Sequence, residues 1–192
     1  MSNFPAVDRS FSWLGRFPLA VELADTVRIV KGKALDLLDD EAALDRWIDA
    51  ESSRFPHAHA ARGHLDEVRR LRDAVKGLLA AHTSDLHLPN ADLGYINDIS
   101  ASSPSFPTLT PAGDRKTVET NHEAYERFAA EVARSTIDIV SADPESLARC
   151  GAPQCGMFFV PLNSRQRWCS PACGNRARVA RHAAKSRKNQ RT

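Results

Sequence analysis

The sequence predicts an α+β chain: a mainly helical N-terminal domain with a small β component, followed by a short C-terminal module organised by four cysteines. Three observations predict it. Apolar residues recur at helical spacing in several stretches between residues 18 and 140. All four cysteines fall between Cys150 and Cys173. Charge is divided as well. From Arg149 to Thr192 there are ten Lys/Arg and no acid, whereas the first 148 residues hold sixteen basic and 24 acidic side chains. A net charge of +2 over 192 residues therefore joins an acidic unit, residues 1–144, to a basic one, residues 145–192.

Residues 1–15 contain Phe4, Phe11 and Trp13 without a clear period and read as an irregular or strand-like entry. Pro18 suits a first helical turn, and the helix it opens runs to about Thr26. Val27 to Leu38 carries β-branched residues ahead of Lys31-Gly32, which predicts a small hairpin. Asp39 or Asp40 caps a helix whose apolar face is Ala43, Leu44, Trp47 and Ile48, and Phe55-Pro56 ends it. From about His57 to His82, Leu65, Val68, Leu71, Val75, Leu78 and Leu79 repeat at three and four, the clearest helical stripe in the chain. A further helix follows Pro89 over residues 90–101. Ser100 to Gly113 reads as a loop with a short strand over Phe106–Leu109. Thr120-x-x-Glu123 is a capping-box start for a long helix with Tyr125, Phe128, Val132, Ser135 and Ile139 along one stripe, ended by Asp143-Pro144.

The C-terminal module carries the strongest chemical signal. Cys150-x4-Cys155, thirteen residues, then Cys169-x3-Cys173 supplies two thiolate pairs from two tight turns, the arrangement that a closed tetrahedral zinc site needs. Disulfides fit poorly with a chain that shows no export signal, and the spacing does not suit iron–sulfur clusters. One structural Zn2+ held by Cys150, Cys155, Cys169 and Cys173 is the expectation. Gly151 and Pro153 shape the first knuckle, and Met157-Phe-Phe-Val160 is β-prone. Pro161 to Gln166 reads as a turn and Arg167-Trp168 as a return strand. Ser170-Pro171 starts a helix, with Ser as cap and Pro at the first position. Knuckle, hairpin and a helix bearing the last ligand make a treble-clef-like finger. A module this short buries too little apolar surface to fold alone, so the metal supplies much of its folding free energy. Loss of one ligand is expected to unfold residues 150–188 and spare the rest.

Along the last helix, Ala172, Val179, Ala180 and Ala183 share one side, available to pack on Phe158, Phe159 or Trp168. Arg178, Arg181, Lys185 and Lys188 gather opposite. Arg176, Arg178, Arg181 and Lys185 are the candidate nucleic-acid contacts, with Arg165, Arg167, Arg187 and Lys188 on phosphates.

Cys150-x4-Cys155-Gly-x-x-Phe159, Arg167-Trp168-Cys169-Ser170 and Cys173-Gly174-Asn175-Arg176, followed by a basic helix, resemble the CGNR zinc finger of bacterial proteins over about Leu147 to Lys188. Upstream, Pro18-Leu-Ala-Val-Glu-Leu-Ala-Asp-Thr26 and Asp36-Leu-Leu-x5-Leu44-x2-Trp47 resemble the ABATE domain that usually accompanies this finger. The resemblance implies a stress-related transcription regulator.

The leading expectation is thus a non-enzymatic, DNA-binding transcription regulator acting on double-stranded DNA. Its N-terminal domain would sense a signal or hold a homodimer together. A small-molecule effector suits that role, but no residue in the sequence points to its pocket. The alternative is an RNA-binding or protein-docking zinc module, with the aromatics stacking on bases if exposed. An enzyme is disfavoured because there is no nucleophile elbow, phosphate-binding glycine loop or HExxH, and no acid follows Glu145. His57, His59 and His64 are spaced too far apart on a helix for one metal. No run is long and apolar enough for a membrane helix, and the expected location is the cytoplasm, on the nucleoid.

Overall fold

The computed structural model describes residue 11 and residues 14–30, 32–120 and 123–189. Most of the entry predicted for residues 1–15, including Phe4 and Trp13, lies outside the described residues, as does Lys31. Phe11 is described and is buried.

Among the described residues, six α-helices are interspersed with three two-stranded antiparallel sheets. Helix α1 (Leu19–Ala24) follows Pro18 and is buried on every side. Strands β1 (Val27–Val30) and β2 (Lys33–Asp36) form the hairpin expected around Gly32, which takes the left-handed φ of +78° that the turn requires. Helix α2 (Glu41–Glu51) is capped by Asp40, whose side chain accepts the Ala43 N–H at 2.7 Å, and Ala43, Leu44, Trp47 and Ile48 are all buried.

The next stretch differs from expectation. Residues Pro56–Ala61 form a 3-10 turn, and α3 (Leu65–His82) begins only after Gly63, at φ +76°. The left-handed Gly63 interrupts the helix that was expected to run from about His57. Helix α4 (Asn90–Ser102) follows Pro89. The following loop holds a full hairpin, β3 (Ser105–Leu109) paired with β4 (Arg115–Glu119), rather than one short strand. That hairpin also removes the capping box. Thr120 donates both its N–H and its hydroxyl to the Pro104 carbonyl, extending the ladder, and α5 (Ala124–Val140) starts after Glu123 with no side-chain cap.

Helix α5 is central to the body, packing against α1, α3, α4 and the 3-10 turn. Phe128, Val132 and Ile139 are buried as expected, with Tyr125 and Ser135 half-buried at the edges. Of the three histidines, His57 faces Glu131 at 3.3 Å and His64 stacks on Tyr125, while His59 is exposed, so no cluster forms.

After a turn over Pro144–Ser146, the C-terminal module contributes β5 (Ala148–Arg149), β6 (Phe158–Phe159) and α6 (Pro171–Asn189). Its hairpin is not the expected one. β6 pairs with β5, across the first knuckle, and Arg167-Trp168 is not a strand. Arg167 instead lends its carbonyl to the Gly151 N–H at 3.2 Å, which ties the second cysteine pair to the first. None of the described helices is long and apolar enough to cross a membrane.

Candidate metal centre and basic helix

Two turns and a helix start bring the four sulfurs together. Gln154, at φ +57°, and Gly156, at φ +130°, bend the first knuckle so that Cys150 and Cys155 point inward. Ser170 accepts the Cys173 N–H at 3.3 Å, starting α6 so that Cys173 lies in its first turn. The sulfurs of Cys155, Cys169 and Cys173 are 3.6–3.8 Å apart, and all four lie within 4.8 Å of one another. A tetrahedron with Zn–S bonds of about 2.3 Å has edges of about 3.8 Å. The donor set therefore fits one tetrahedral zinc ion with no open position for a water.

The surroundings favour thiolates. The Cys169 N–H donates to the Cys150 sulfur at 3.4 Å, and the Arg176 guanidinium donates to the Cys173 sulfur at 3.1 Å. Hydrogen bonding from Cys169, reinforced by Cys150, Cys173 and the Met157 backbone, pushes the Cys155 thiol down to about 5. Having donated to Cys155, Cys169 is driven upward, and burial raises Cys150. Four thiolates this close cannot all ionise unless a cation is shared among them.

A second small core seals the site: Cys150, Ala152, Phe159 and Cys173, with Trp168, Ala177 and Phe17 against it. Gly174 lies under the indole of Trp168, where an added Cβ would stand 3.4 Å from the ring. The face of α6 that packs is thus Cys173, Gly174 and Ala177. Of the expected face, Ala172, Val179 and Ala183 are exposed, with Val179 at 61%, and Ala180 is half-buried. The reason is geometric: Cys173 must aim at the metal, and that rotates the helix by roughly a third of a turn from the orientation its apolar residues would choose.

The module is also bound to the body. Phe158 is buried in the N-terminal core, and its N–H donates at 2.9 Å to Oδ1 of Asp25, the residue that ends α1. Asp25 is almost wholly buried, its second oxygen has no partner, and burial raises its carboxyl well above the usual range. Sequence reasoning missed this contact, because 133 residues separate its partners. Phe17, packed against both cores, is fixed by Glu22, whose Oε1 accepts the N–H groups of Gly15, Arg16 and Phe17.

Of the candidate contact residues, Arg165, Arg167, Arg176, Arg178, Arg181 and Lys185 are all exposed. Arg176 is turned toward Cys173 and the Gln154 carbonyl, and Arg178 toward Asn175. Among the described residues, none of the six meets a carboxylate. The side chains of Arg187 and Lys188 lie outside the described residues. Phe158 and Phe159 are buried, and Trp168 is half-buried.

Two family models match the chain. The ABATE model, described as "Putative stress-induced transcription regulator", covers residues 18–143, and the CGNR zinc finger model covers residues 146–186. No curated protein matches.

Proposed function

The chain belongs to the ABATE family and carries a CGNR zinc finger, and from that premise we propose that it is a DNA-binding transcription regulator. In this reading the zinc ion is structural, and the finger presents α6 to duplex DNA. The acidic helical body senses a small-molecule signal or holds a homodimer together. One observation carries the proposal. Among the described residues, the cations of α6 and of the turn before it stand exposed and meet no carboxylate, in a 44-residue stretch that contains no acid. Desolvated phosphates are the natural partner for such a surface, since surface acids to neutralise it are absent from the stretch. Beyond Ala180 the helix has only exposed side chains through Ser186, which leaves it free to lie along a groove. Arg178, Arg181 and Lys185 are assigned to the nucleic acid, with Arg165, Arg167, Arg187 and Lys188 on phosphates. Arg176 serves the metal site first and DNA second.

The RNA-binding alternative is weakened by the burial of Phe158 and Phe159, which leaves the half-buried Trp168 alone of the three candidate stacking aromatics. An enzymatic role is not part of this reading, because no acid follows Glu145 and, among the described residues, none of these cations meets a carboxylate that could hold a catalytic metal or move a proton.

The test is fluorescence anisotropy of the zinc-loaded chain on labelled duplexes. Raising salt from about 50 to about 200 mM is expected to weaken binding by orders of magnitude, and replacing Arg178, Arg181 and Lys185 together by alanine should reduce the salt slope by about 3. Undetectable affinity for every duplex would favour a protein-docking module instead.

A further inference from the structure

The four sulfurs of the metal centre differ in their surroundings, and the difference falls on two properties. The first is access. Cys150 and Cys173 are buried, whereas Cys155 and Cys169 are half-buried. The second is hydrogen bonding. Cys150 accepts the N–H groups of Ala152 and Cys169, Cys155 accepts that of Met157, and Cys173 accepts the Arg176 guanidinium at 3.1 Å. Among the described residues no N–H or guanidinium donates to the Cys169 sulfur, which stands 3.8 Å from that of Cys155 and 3.6 Å from that of Cys173. Of the four ligands, Cys169 alone combines partial exposure with the lack of such a donor.

Both properties govern how a zinc-bound thiolate reacts. An N–H donor draws electron density from the sulfur, and that bond is weakened when the sulfur makes a new one. A thiolate with a donor is therefore the poorer nucleophile. Oxidation likewise follows thiolate character and exposure.

We propose that Cys169 is the oxidant-sensitive ligand of the centre, the sulfur that a hydroperoxide attacks first, and that its oxidation releases α6. The Cys169 sulfur attacks one oxygen of the peroxide: an S–O bond forms, the O–O bond breaks and hydroxide leaves. Sulfur gives up two electrons and the peroxide takes them, leaving a sulfenic acid. The thiolate of Cys155 or Cys173, each within 3.8 Å, then attacks that sulfur. An S–S bond forms, the S–O bond breaks and a second hydroxide leaves. One disulfide thus removes two of the four ligands, and the zinc is lost with them. Helix α6 packs through Cys173, Gly174 and Ala177 beside the metal, with Val179 in solvent, so it loses its hold along with the ion. An effect on DNA binding rests on the regulator reading above, whereas the order in which the sulfurs react does not.

The zinc-loaded full chain, without DNA, tests this in two ways. Limiting N-ethylmaleimide, located by peptide fragmentation in a mass spectrometer, should label Cys169 at least about tenfold ahead of each other ligand. Hydrogen peroxide should release one zinc per chain to a chromogenic chelator and join Cys169 to Cys155 or Cys173, and dithiothreitol with added zinc should reverse both changes. Arg176→Ala strips the donor from Cys173, and should bring Cys173 into the labelling and hasten zinc loss about tenfold. Cys169→His keeps a fourth ligand of a kind that zinc accepts, and should slow peroxide-driven release about tenfold. If that variant fails to hold zinc, the labelling order of the unaltered chain decides alone. First labelling at Cys150, Cys155 or Cys173, even labelling of all four, or zinc retained at peroxide concentrations that oxidise a free cysteine peptide would each overturn the proposal. Undetectable duplex binding in the anisotropy assay would remove the regulator reading and leave this result untouched.

Discussion

The helical body and the last helix of the finger solve the same problem, holding a helix in place, by different physics. In α3 and α5 the apolar residues face inward and become core: Val68, Leu71, Val75, Leu79, Phe128 and Val132 are all fully buried. In α6 the largest apolar side chain, Val179, faces solvent, and the helix is held at its first two turns by Cys173, Gly174 and Ala177. Hydrophobic burial orients the first two, and a metal–ligand bond orients the third. The consequence is functional. A helix freed from packing its own apolar side can leave its cations exposed along its length, at the cost of depending on the metal for its position.

The largest effect that could break this comparison comes from the metal. Replacing Cys169 by serine removes a ligand from a site whose binding free energy in such modules is about 10–16 kcal/mol. Native mass spectrometry should show one zinc per wild-type chain and none in the variant, and hydrogen exchange should show residues 150–186 losing protection. The body will not be wholly spared, because Phe158 is part of its core and Asp25 loses the N–H it was buried to accept. Protection of α6 persisting without metal would mean that burial, not zinc, holds it.

Next in size is the contrast between two apolar side chains of the same module. Phe158→Ala should destabilise the zinc-loaded chain by about 3–5 kcal/mol in urea unfolding, the usual cost of emptying a buried phenylalanine site. Val179→Ala, on the exposed side of α6, should change stability by no more than about 0.5 kcal/mol. Equal costs would show that the exposed face of α6 is covered in solution.

The smallest effect sharpens the picture of how the body holds the entry segment. Glu22 and Glu51 are both fully buried and share the guanidinium of Arg54. Burial, with the Glu22 charge beside it, raises the Glu51 carboxyl from 4.5 to about 7. Because the folded value is the higher one, the fold prefers the protonated form. Stability should be greatest below about pH 4.5 as far as this group is concerned and fall as pH rises through about 7, by at most about 3 kcal/mol. Glu51→Gln should flatten that slope when unfolding is followed between pH 5 and 8, and an unchanged slope would place its origin elsewhere.

What could be read from residues alone was whatever depends on neighbours in the chain. The Asp40 cap and the Ala43, Leu44, Trp47 and Ile48 face of α2 are local signals, and so is the hairpin turn at Gly32. The four ligands were also legible, since two close cysteine pairs in one short window are a local pattern with one dominant geometric use. Where two local signals competed, the local reading misled: the helix of α3 was expected from about His57, across Gly63, and Thr120 was drawn to a strand partner rather than to a helix cap.

Only the tertiary structure decided the pairing of β6 with β5 across the knuckle, the burial of Phe158 in the other module's core, the Asp25 contact and the rotation of α6. Each of these depends on groups far apart in sequence meeting at a set distance. Composition and spacing establish that four thiolates will seek one ion, but they do not say which way the attached helix must turn for its sulfur to reach it. That direction, set by tetrahedral geometry rather than by apolar periodicity, is what leaves Val179 facing solvent.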